Sequence, residues 1–142
     1  LPTLRIAKLK SGIIPHEVTR IVVKDKRRLI PSTGGGAVNL MHEMTRGSGG
    51  TMAGAGLADV QTDIWNLYHS GKEREARDLF AKFLMSAILE RATGFVLQKE
   101  ILRRRGVFKT VVMRRTRKFT MDKGDLTELD RIMEVLQPHL RA

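Results

Sequence analysis

Short apolar segments alternate with amphipathic segments over the first half of the chain. Residues 4–9 (LRIAKL) alternate apolar and charged side chains, and residues 28–32 (RLIPS) form a second short run, so both predict strands. Residues 15–23 and 37–46 place apolar side chains at helical spacing and predict helices. The small, apolar segment 49–56 (GGTMAGAG) is typical of a buried parallel strand. The order strand, helix, strand, helix, strand indicates an α/β architecture.

The second half of the chain is predicted to be helical throughout. Helical apolar spacing covers residues 59–69, 72–91, 94–104 and 126–136, and Asp125 is expected to cap the last helix. The helix over 59–69 completes a third βα unit, and the later helices form a tail. A series of βα units belongs to a doubly wound sheet or to an eight-stranded barrel, and the pattern leaves both open.

The composition excludes several kinds of site. The chain of 142 residues has no cysteine, and its four histidines lack the spacing of metal ligands, so we predict no metal and no cofactor. No apolar run approaches the roughly 20 residues of a membrane span, so we expect a soluble, cytoplasmic protein. The chain begins at Leu1 and Pro2 without an initiator methionine, so we expect that sequence precedes it.

The formal charge of +11 is concentrated in one segment. Residues 103–123 hold nine lysines and arginines against a single carboxylate, Asp122. Phe108 and Phe119 are the aromatic residues of this segment, whereas single-strand binders interleave many aromatics with cations. The segment therefore favours a solvated or oligomer-facing surface. The alternative is a non-catalytic module whose basic stretch binds an anionic partner such as nucleic acid.

Lys8 is the candidate nucleophile, because it falls at the predicted C-terminal end of the first strand. α/β enzymes place functional groups at that edge, and an amine there can attack a ketone to form a Schiff base. Lys10 could supply a second cation nearby. On the residues alone, two surface lysines at the end of a strand are the favoured interpretation.

Two glycine-containing segments could contact a ligand. Gly34, Gly35 and Gly36 lie between a strand and a helix, where backbone amides can hold a carboxylate or phosphate, or simply form a tight βα turn. This run has neither the GxGxxG spacing nor a P-loop lysine. Met52 lies in the third predicted strand, where it could line a site or pack in the core.

Three segments in this order resemble the dihydrodipicolinate synthase / N-acetylneuraminate lyase family. They are AKLKSG (7–12), STGGG (32–36) and RGSGGTMAG (46–54). Downstream, SGK (70–72), ARDLF (76–80), KEIL (99–102) and RG (105–106) continue the resemblance. The similarity thus runs along nearly the whole chain and matches the C-terminal half of the family.

The resemblance implies a Schiff-base-forming lyase, an aldolase or a dehydratase/synthase, that acts on pyruvate or another 2-oxo acid. Lys8 corresponds to the Schiff-base lysine on the sixth strand of a (β/α)8 TIM barrel. Gly34, Gly35 and Gly36 correspond to the end of the seventh strand and Met52 to the eighth, so these four residues are expected to bind substrate. The resemblance leaves open which 2-oxo acid is used, and whether the reaction is cleavage, condensation or dehydration.

The resemblance also implies a domain organisation. Residues 1–71 would be the last three βα units of the barrel and residues 72–142 a C-terminal helical extension. The family's tyrosine acid/base and carboxylate-binding hydroxyls belong to earlier strands, and no residue here matches them. Family members are homo-oligomers, commonly tetramers or dimers, so we expect the same here.

Overall fold

A computed structural model describes residues 5–10, 12–24, 29–114 and 120–141. Within those residues the chain forms three strands and six α-helices: β1 (Ile6–Lys8), α1 (Ile14–Lys24), β2 (Ile30–Thr33), α2 (Leu40–Met44), β3 (Gly50–Thr51), α3 (Ala58–His69), α4 (Glu73–Thr93), α5 (Phe95–Arg104) and α6 (Lys123–Leu136). The fold is mostly helical with a small sheet. It divides into two compact units, Leu1–Ala53 and Gly54–Ala142.

The first unit contains a parallel sheet in the order β1-β2-β3. Lys8 is paired with Ser32, Ser32 with Gly50, and Thr33 with Thr51. Parallel neighbours require crossovers, and α1 and α2 provide them, as the predicted βα units demand. Leu4 and Arg28, which the predicted strands included, lie outside the described residues.

The third strand is much shorter than predicted. The sequence suggested a strand over 49–56, but β3 covers only Gly50–Thr51, and a 3₁₀ turn follows at Ala55–Leu57. The later part of the segment packs against α5: the Gln98 carboxamide donates to Glu90, and its oxygen accepts the Gly56 N–H at 2.9 Å. Gly49 packs against Ile30 of β2, whereas Gly54 and Gly56 allow close packing against a helix.

The last helix begins earlier than predicted, and its cap is a different residue. α6 starts at Lys123, and Asp122 is its N-cap, with a carboxylate that accepts the Asp125 N–H at 2.9 Å. Asp125 is the third helical residue, and its own carboxylate accepts the Asp122 N–H at 3.1 Å. The two aspartates form a reciprocal capping box, so the prediction of Asp125 as the cap was wrong by three residues.

The second unit is a helical assembly in which α4 contacts α3, α5 and α6. Its apolar core takes two or three large side chains from each helix; the buried ones include Ile64, Phe83, Leu97, Ile101, Leu129 and Ile132. The helices over 59–69, 72–91 and 94–104 agree with α3, α4 and α5 to within about two residues at each end, the usual uncertainty of helix boundaries. The division of roles at residues 71 and 72 stays a prediction.

Candidate functional site

Lys8 is the last residue of β1, at the carboxyl edge of the parallel sheet. The strand pairing continues past it, because the Leu9 N–H donates to the Ser32 carbonyl at 2.7 Å. Paired residues of neighbouring strands share a face, so Lys8 and Ser32 lie on the same side of the sheet. Lys8 is exposed, whereas Ser32 is buried.

The Lys8 side chain runs along the backbone of Gly34. A Cβ atom at Gly34 would lie 2.9 Å from Lys8 Cε and 3.7 Å from Lys8 Nζ. The same position is 3.7 Å from the carbonyl oxygen of Met52. The structure thus brings together three of the residues predicted from sequence, and only glycine at position 34 leaves room for this path of the lysine.

The residues after Gly34 form a left-handed turn before α2. Gly35, Gly36 and Ala37 have φ values of 68°, 72° and 60°. Gly35 is exposed, with no neighbouring atom within 4 Å of a Cβ built on it, whereas Ala37 is buried. This is the tight βα turn that the sequence analysis gave as one alternative. Gly35 in this turn is open to solvent.

Met52 follows β3 and remains tied to the sheet through its backbone. Its N–H donates to the Thr33 carbonyl at 2.7 Å, which extends the parallel pairing of β2 and β3 by one bond. Met52 is 45% exposed, so it is not a fully packed core residue. Its carbonyl oxygen lies 3.7 Å from the Cβ position of Gly34, so the backbone of Met52 borders the turn that Lys8 reaches.

The opposite face of the sheet carries a buried polar cluster that the sequence analysis missed. The Thr33 hydroxyl donates to Glu43 Oε2 at 2.5 Å, and its next contact is the Gly50 carbonyl at 3.4 Å. Thr33 and Glu43 are 0% and 1% exposed. Glu43 Oε1 and the hydroxyl of Thr51, which pairs with Thr33, are buried without a partner among the described residues.

Burial raises the pKa of the Glu43 carboxyl, and the hydrogen bond from Thr33 opposes that rise only in part. A signal for this residue was present in the sequence. Glu43 sits among the apolar residues Leu40, Met41 and Met44 that predicted the inner face of the helix. A carboxylate on an apolar face is a feature that requires a partner.

Part of the basic segment forms ion pairs within the chain. The Arg103 and Arg104 guanidinium groups contact Glu100 at 2.7 and 2.9 Å, and Arg105 contacts Asp59 at 2.6 Å. Residues 115–119, which include three further cations, lie outside the described residues. Three arginines of the segment are thus already paired with carboxylates of the same chain.

These ion pairs shift the pKa values of their carboxyls. The hydrogen bond from Arg103 lowers the pKa of Glu100 to about 2, against the opposing effect of burial. Burial would raise the pKa of Asp59, but the Arg141 N–H and the Arg105 guanidinium outweigh it, so that pKa is lowered. Both carboxylates are held in their ionised form.

The described residues contain no group of three or more metal-ligating side chains. Among the described helices, none has the length and apolar character needed to cross a bilayer.

The chain is similar in structure to a dihydrodipicolinate synthase from Rhodopseudomonas palustris, with a TM-score of 0.80 and 25% sequence identity. The predicted resemblance to the dihydrodipicolinate synthase family is confirmed. The match covers 91% of this chain and 44% of that enzyme, which is consistent with the C-terminal half of the family. No protein-family model matches the sequence, and no curated protein does so either.

The similarity also bears on the fold class. A small parallel sheet followed by helices fits part of a (β/α)8 TIM barrel, although the described strands number only three. The chain spans less than half the length of the synthase that it resembles. The coarse prediction of a partial barrel is supported, and the assignment of β1, β2 and β3 as barrel strands six, seven and eight stays a prediction.

Proposed function

We propose that this chain contributes the nucleophile of a Schiff-base-forming lyase of the dihydrodipicolinate synthase type, with Lys8 as that nucleophile. The observation that carries the proposal is the path of the Lys8 side chain over Gly34 and beside the Met52 carbonyl, at the carboxyl edge of a parallel sheet. The similarity to the synthase supports it at the level of the family.

The chemistry follows from an amine at that edge. Lys8 Nζ attacks the carbonyl carbon of a 2-oxo acid, the carbinolamine loses water, and a protonated imine remains on the lysine. The iminium accepts the electron pair left when a neighbouring carbon loses a proton or when a carbon–carbon bond breaks, which gives an enamine. The enamine bonds a proton or an electrophilic carbon at its nucleophilic carbon, which regenerates the imine. Hydrolysis of the imine by one water molecule returns the free amine and releases the 2-oxo acid.

The remaining predicted residues would bind the substrate. The exposed backbone of Gly35 and the neighbouring Gly36 offer amides to the carboxylate or to the distal end of the substrate. Gly34 leaves the space in which the lysine side chain lies. Met52 would supply an apolar wall that limits the access of water to the imine.

The family resemblance extends the proposal beyond the site. Pyruvate or another 2-oxo acid would be the substrate, and the active protein would be a cytoplasmic homo-oligomer, a dimer or a tetramer. Residues 1–71 would act as barrel units and residues 72–142 as a helical extension. No observation favours the alternative of a basic module for an anionic partner.

Reduction with borohydride in the presence of pyruvate tests the proposal directly. The full chain is expected to gain the mass of one reduced pyruvyl group, which peptide mapping would locate on Lys8. Lys8→Arg is expected to abolish the adduct, and Lys10→Arg, a matched control two residues away, is expected to retain it. An unmodified Lys8 across a series of 2-oxo acids would overturn the proposed function.

A further inference from the structure

We propose that Glu43 is a positioning residue for Lys8. Through the Thr33 hydroxyl it fixes the end of β2, and with it the backbone of Gly34 against which the lysine side chain lies. The role of Glu43 in catalysis depends on the proposed function of Lys8. The connection from Glu43 to Gly34 depends only on the contacts described below.

Glu43 is connected to the sheet through Thr33. Thr33 is the last residue of β2, and its hydroxyl donates to Glu43 Oε2 at 2.5 Å. Gly34 follows Thr33 directly, and the Cβ position of Gly34 lies 2.9 Å from Lys8 Cε. A shift of the β2 terminus therefore moves the surface that Lys8 contacts.

Glu43 is itself anchored to the sheet through Ser48. The backbone carbonyl of Glu43 accepts the Ser48 N–H at 3.0 Å. The Ser48 hydroxyl contacts the carbonyls of Pro31 at 3.1 Å and Gly50 at 2.9 Å. Because Pro31 belongs to β2 and Gly50 to β3, the segment after α2 is tied to both strands, and Glu43 is held at a fixed distance from them.

The burial of the Glu43 carboxyl group costs free energy. Glu43 is 1% exposed on a helix whose other inward residues are apolar, and only one of its two carboxyl oxygens has a partner among the described residues. A leucine at position 43 would avoid that desolvation, so packing alone gives no reason for a carboxyl group. The Thr33 hydrogen bond is the interaction that a leucine would lose. Glu43 lies on the helix side of the sheet and Lys8 on the other, so it acts through the backbone.

The test compares variants that keep or remove the acceptor for Thr33. Glu43→Gln keeps an acceptor oxygen at the same reach, whereas Glu43→Asp withdraws it by one methylene and Glu43→Leu removes it. Thr33→Val removes the donor. Lys8 reactivity is read from competitive acylation of the full chain with a small anhydride, as the ratio of Lys8 to Lys10 labelling in each sample.

We expect the Lys8 to Lys10 ratio to change by about two- to tenfold in Glu43→Asp, Glu43→Leu and Thr33→Val, the range that the net worth of one hydrogen bond represents. Glu43→Gln is expected to keep the ratio of the unsubstituted protein. Asp59→Asn, in the second unit, controls for a general loss of stability and is expected to keep that ratio too. If Thr33→Val does not fold, the Asp and Gln variants at position 43 decide the question.

Trapping of pyruvate by borohydride is measured on the same proteins. A fall in the trapping rate that parallels the labelling ratio supports both the positioning role and the proposed function. Altered labelling without any pyruvate adduct on the unsubstituted protein would leave the positioning role standing and overturn the proposed function. An unchanged labelling ratio in Glu43→Asp and Thr33→Val would overturn the positioning role.

Discussion

The absence of a side chain at Gly34 determines where the Lys8 amine can lie. In Gly34→Ala the new methyl group would meet Lys8 Cε at 2.9 Å, closer than real Cβ contacts allow. The end of a lysine side chain moves at little cost, so we expect the free energy of unfolding to change by less than about 1 kcal/mol. The lysine would be displaced, so the rate of borohydride trapping with pyruvate should fall. Urea unfolding and the trapping rate measure the two effects separately.

Gly71→Ala is the matched control for that prediction. Gly71, between α3 and α4, has φ +82°, which costs an alanine about 1 kcal/mol, but no atom lies within 4 Å of the added methyl group. This variant should lose stability and keep its trapping rate, the reverse of Gly34→Ala. Equal trapping rates in both variants would show that contact with Gly34 does not set the position of Lys8.

At single residues, the sequence revealed the exposed and unusual positions better than the buried ones. Lys8 and the three glycines stood out because an amine at a strand end and a run of glycines are both visible in the local sequence. Glu43 was visible only as a carboxylate among the apolar residues of a helix, because its partner Thr33 is ten residues away and only the fold brings the two together. Contacts between residues distant in sequence carry no local pattern.

Close packing between a turn and a helix accounts for the small residues after β3. In Gly56→Ala the methyl group would lie 2.7 Å from Gln98 Oε1 and 3.0 Å from Cγ2 of the buried Ile101. Ile101 cannot move away, so we expect a loss of about 1–3 kcal/mol in the free energy of unfolding. Chemical denaturation of the variant and the parent measures it.

A substitution at Gly54 distinguishes the contact with Gln98 from the contact with Ile101. The three atoms nearest to a methyl group at Gly54 would all belong to the Gln98 carboxamide, closer than real Cβ contacts allow. In a Gln98→Ala background the cost of Gly54→Ala should therefore vanish, while the cost of Gly56→Ala persists because Ile101 remains. Loss of both costs in that background would contradict the role of Ile101.

The ion pairs that Glu100 makes within α5 should be lost in acid. Glu100 contacts Arg103 and Arg104, and Arg104 also contacts Asp130 of α6 at 2.5 Å. The pKa of Glu100 falls from 4.5 to about 2 on folding, so its ionised form stabilises the fold above pH 4.5. That contribution, at most about 3 kcal/mol, is lost as the pH falls from 4.5 towards 2.

Glu100→Gln tests this dependence. The variant should be less stable than the parent at neutral pH, and the difference should shrink as the pH approaches 2. Glu128→Gln removes an exposed carboxylate that contacts Arg131 at 3.3 Å, and it should change stability by less than about 1 kcal/mol at any pH. Thermal unfolding across the acid range distinguishes the two variants, and parallel curves for both would refute the prediction.

Elements were predictable where a single helix carries its own signal. α3, α4 and α5 each show an apolar stripe bounded by glycine, and the periodicity found them. β3 was overestimated because small apolar residues suit a buried strand and a tight helix contact equally well. The start of α6 was missed because two aspartates three residues apart can each serve as a cap, and only the backbone decides between them.

At the scale of the whole chain, the order of the motifs was more informative than any one of them. Three short βα segments left open a doubly wound sheet and a barrel, and the family resemblance favoured the barrel. The structural similarity, with a TM-score of 0.80, supports that choice. The substrate could not be predicted, because loops on several barrel strands set specificity and the chain spans 44% of the synthase that it resembles.

The charge of +11 belongs to the whole molecule, and its effect on polyanion binding is testable. A net positive charge attracts any polyanion, whereas a dedicated interface depends on particular cations. Arg103 lies in the basic segment and contacts Glu100, and Arg91 is an exposed arginine of α4 outside that segment. Arg103→Gln and Arg91→Gln should therefore weaken binding to a short DNA duplex by the same small factor, with the same dependence on salt. Fluorescence anisotropy at several salt concentrations measures both.

A much larger loss of DNA affinity for Arg103→Gln alone, with a shallower dependence of affinity on salt, would instead favour the basic interaction module. Only a phosphate contact made by Arg103 itself reduces that slope when the residue is replaced.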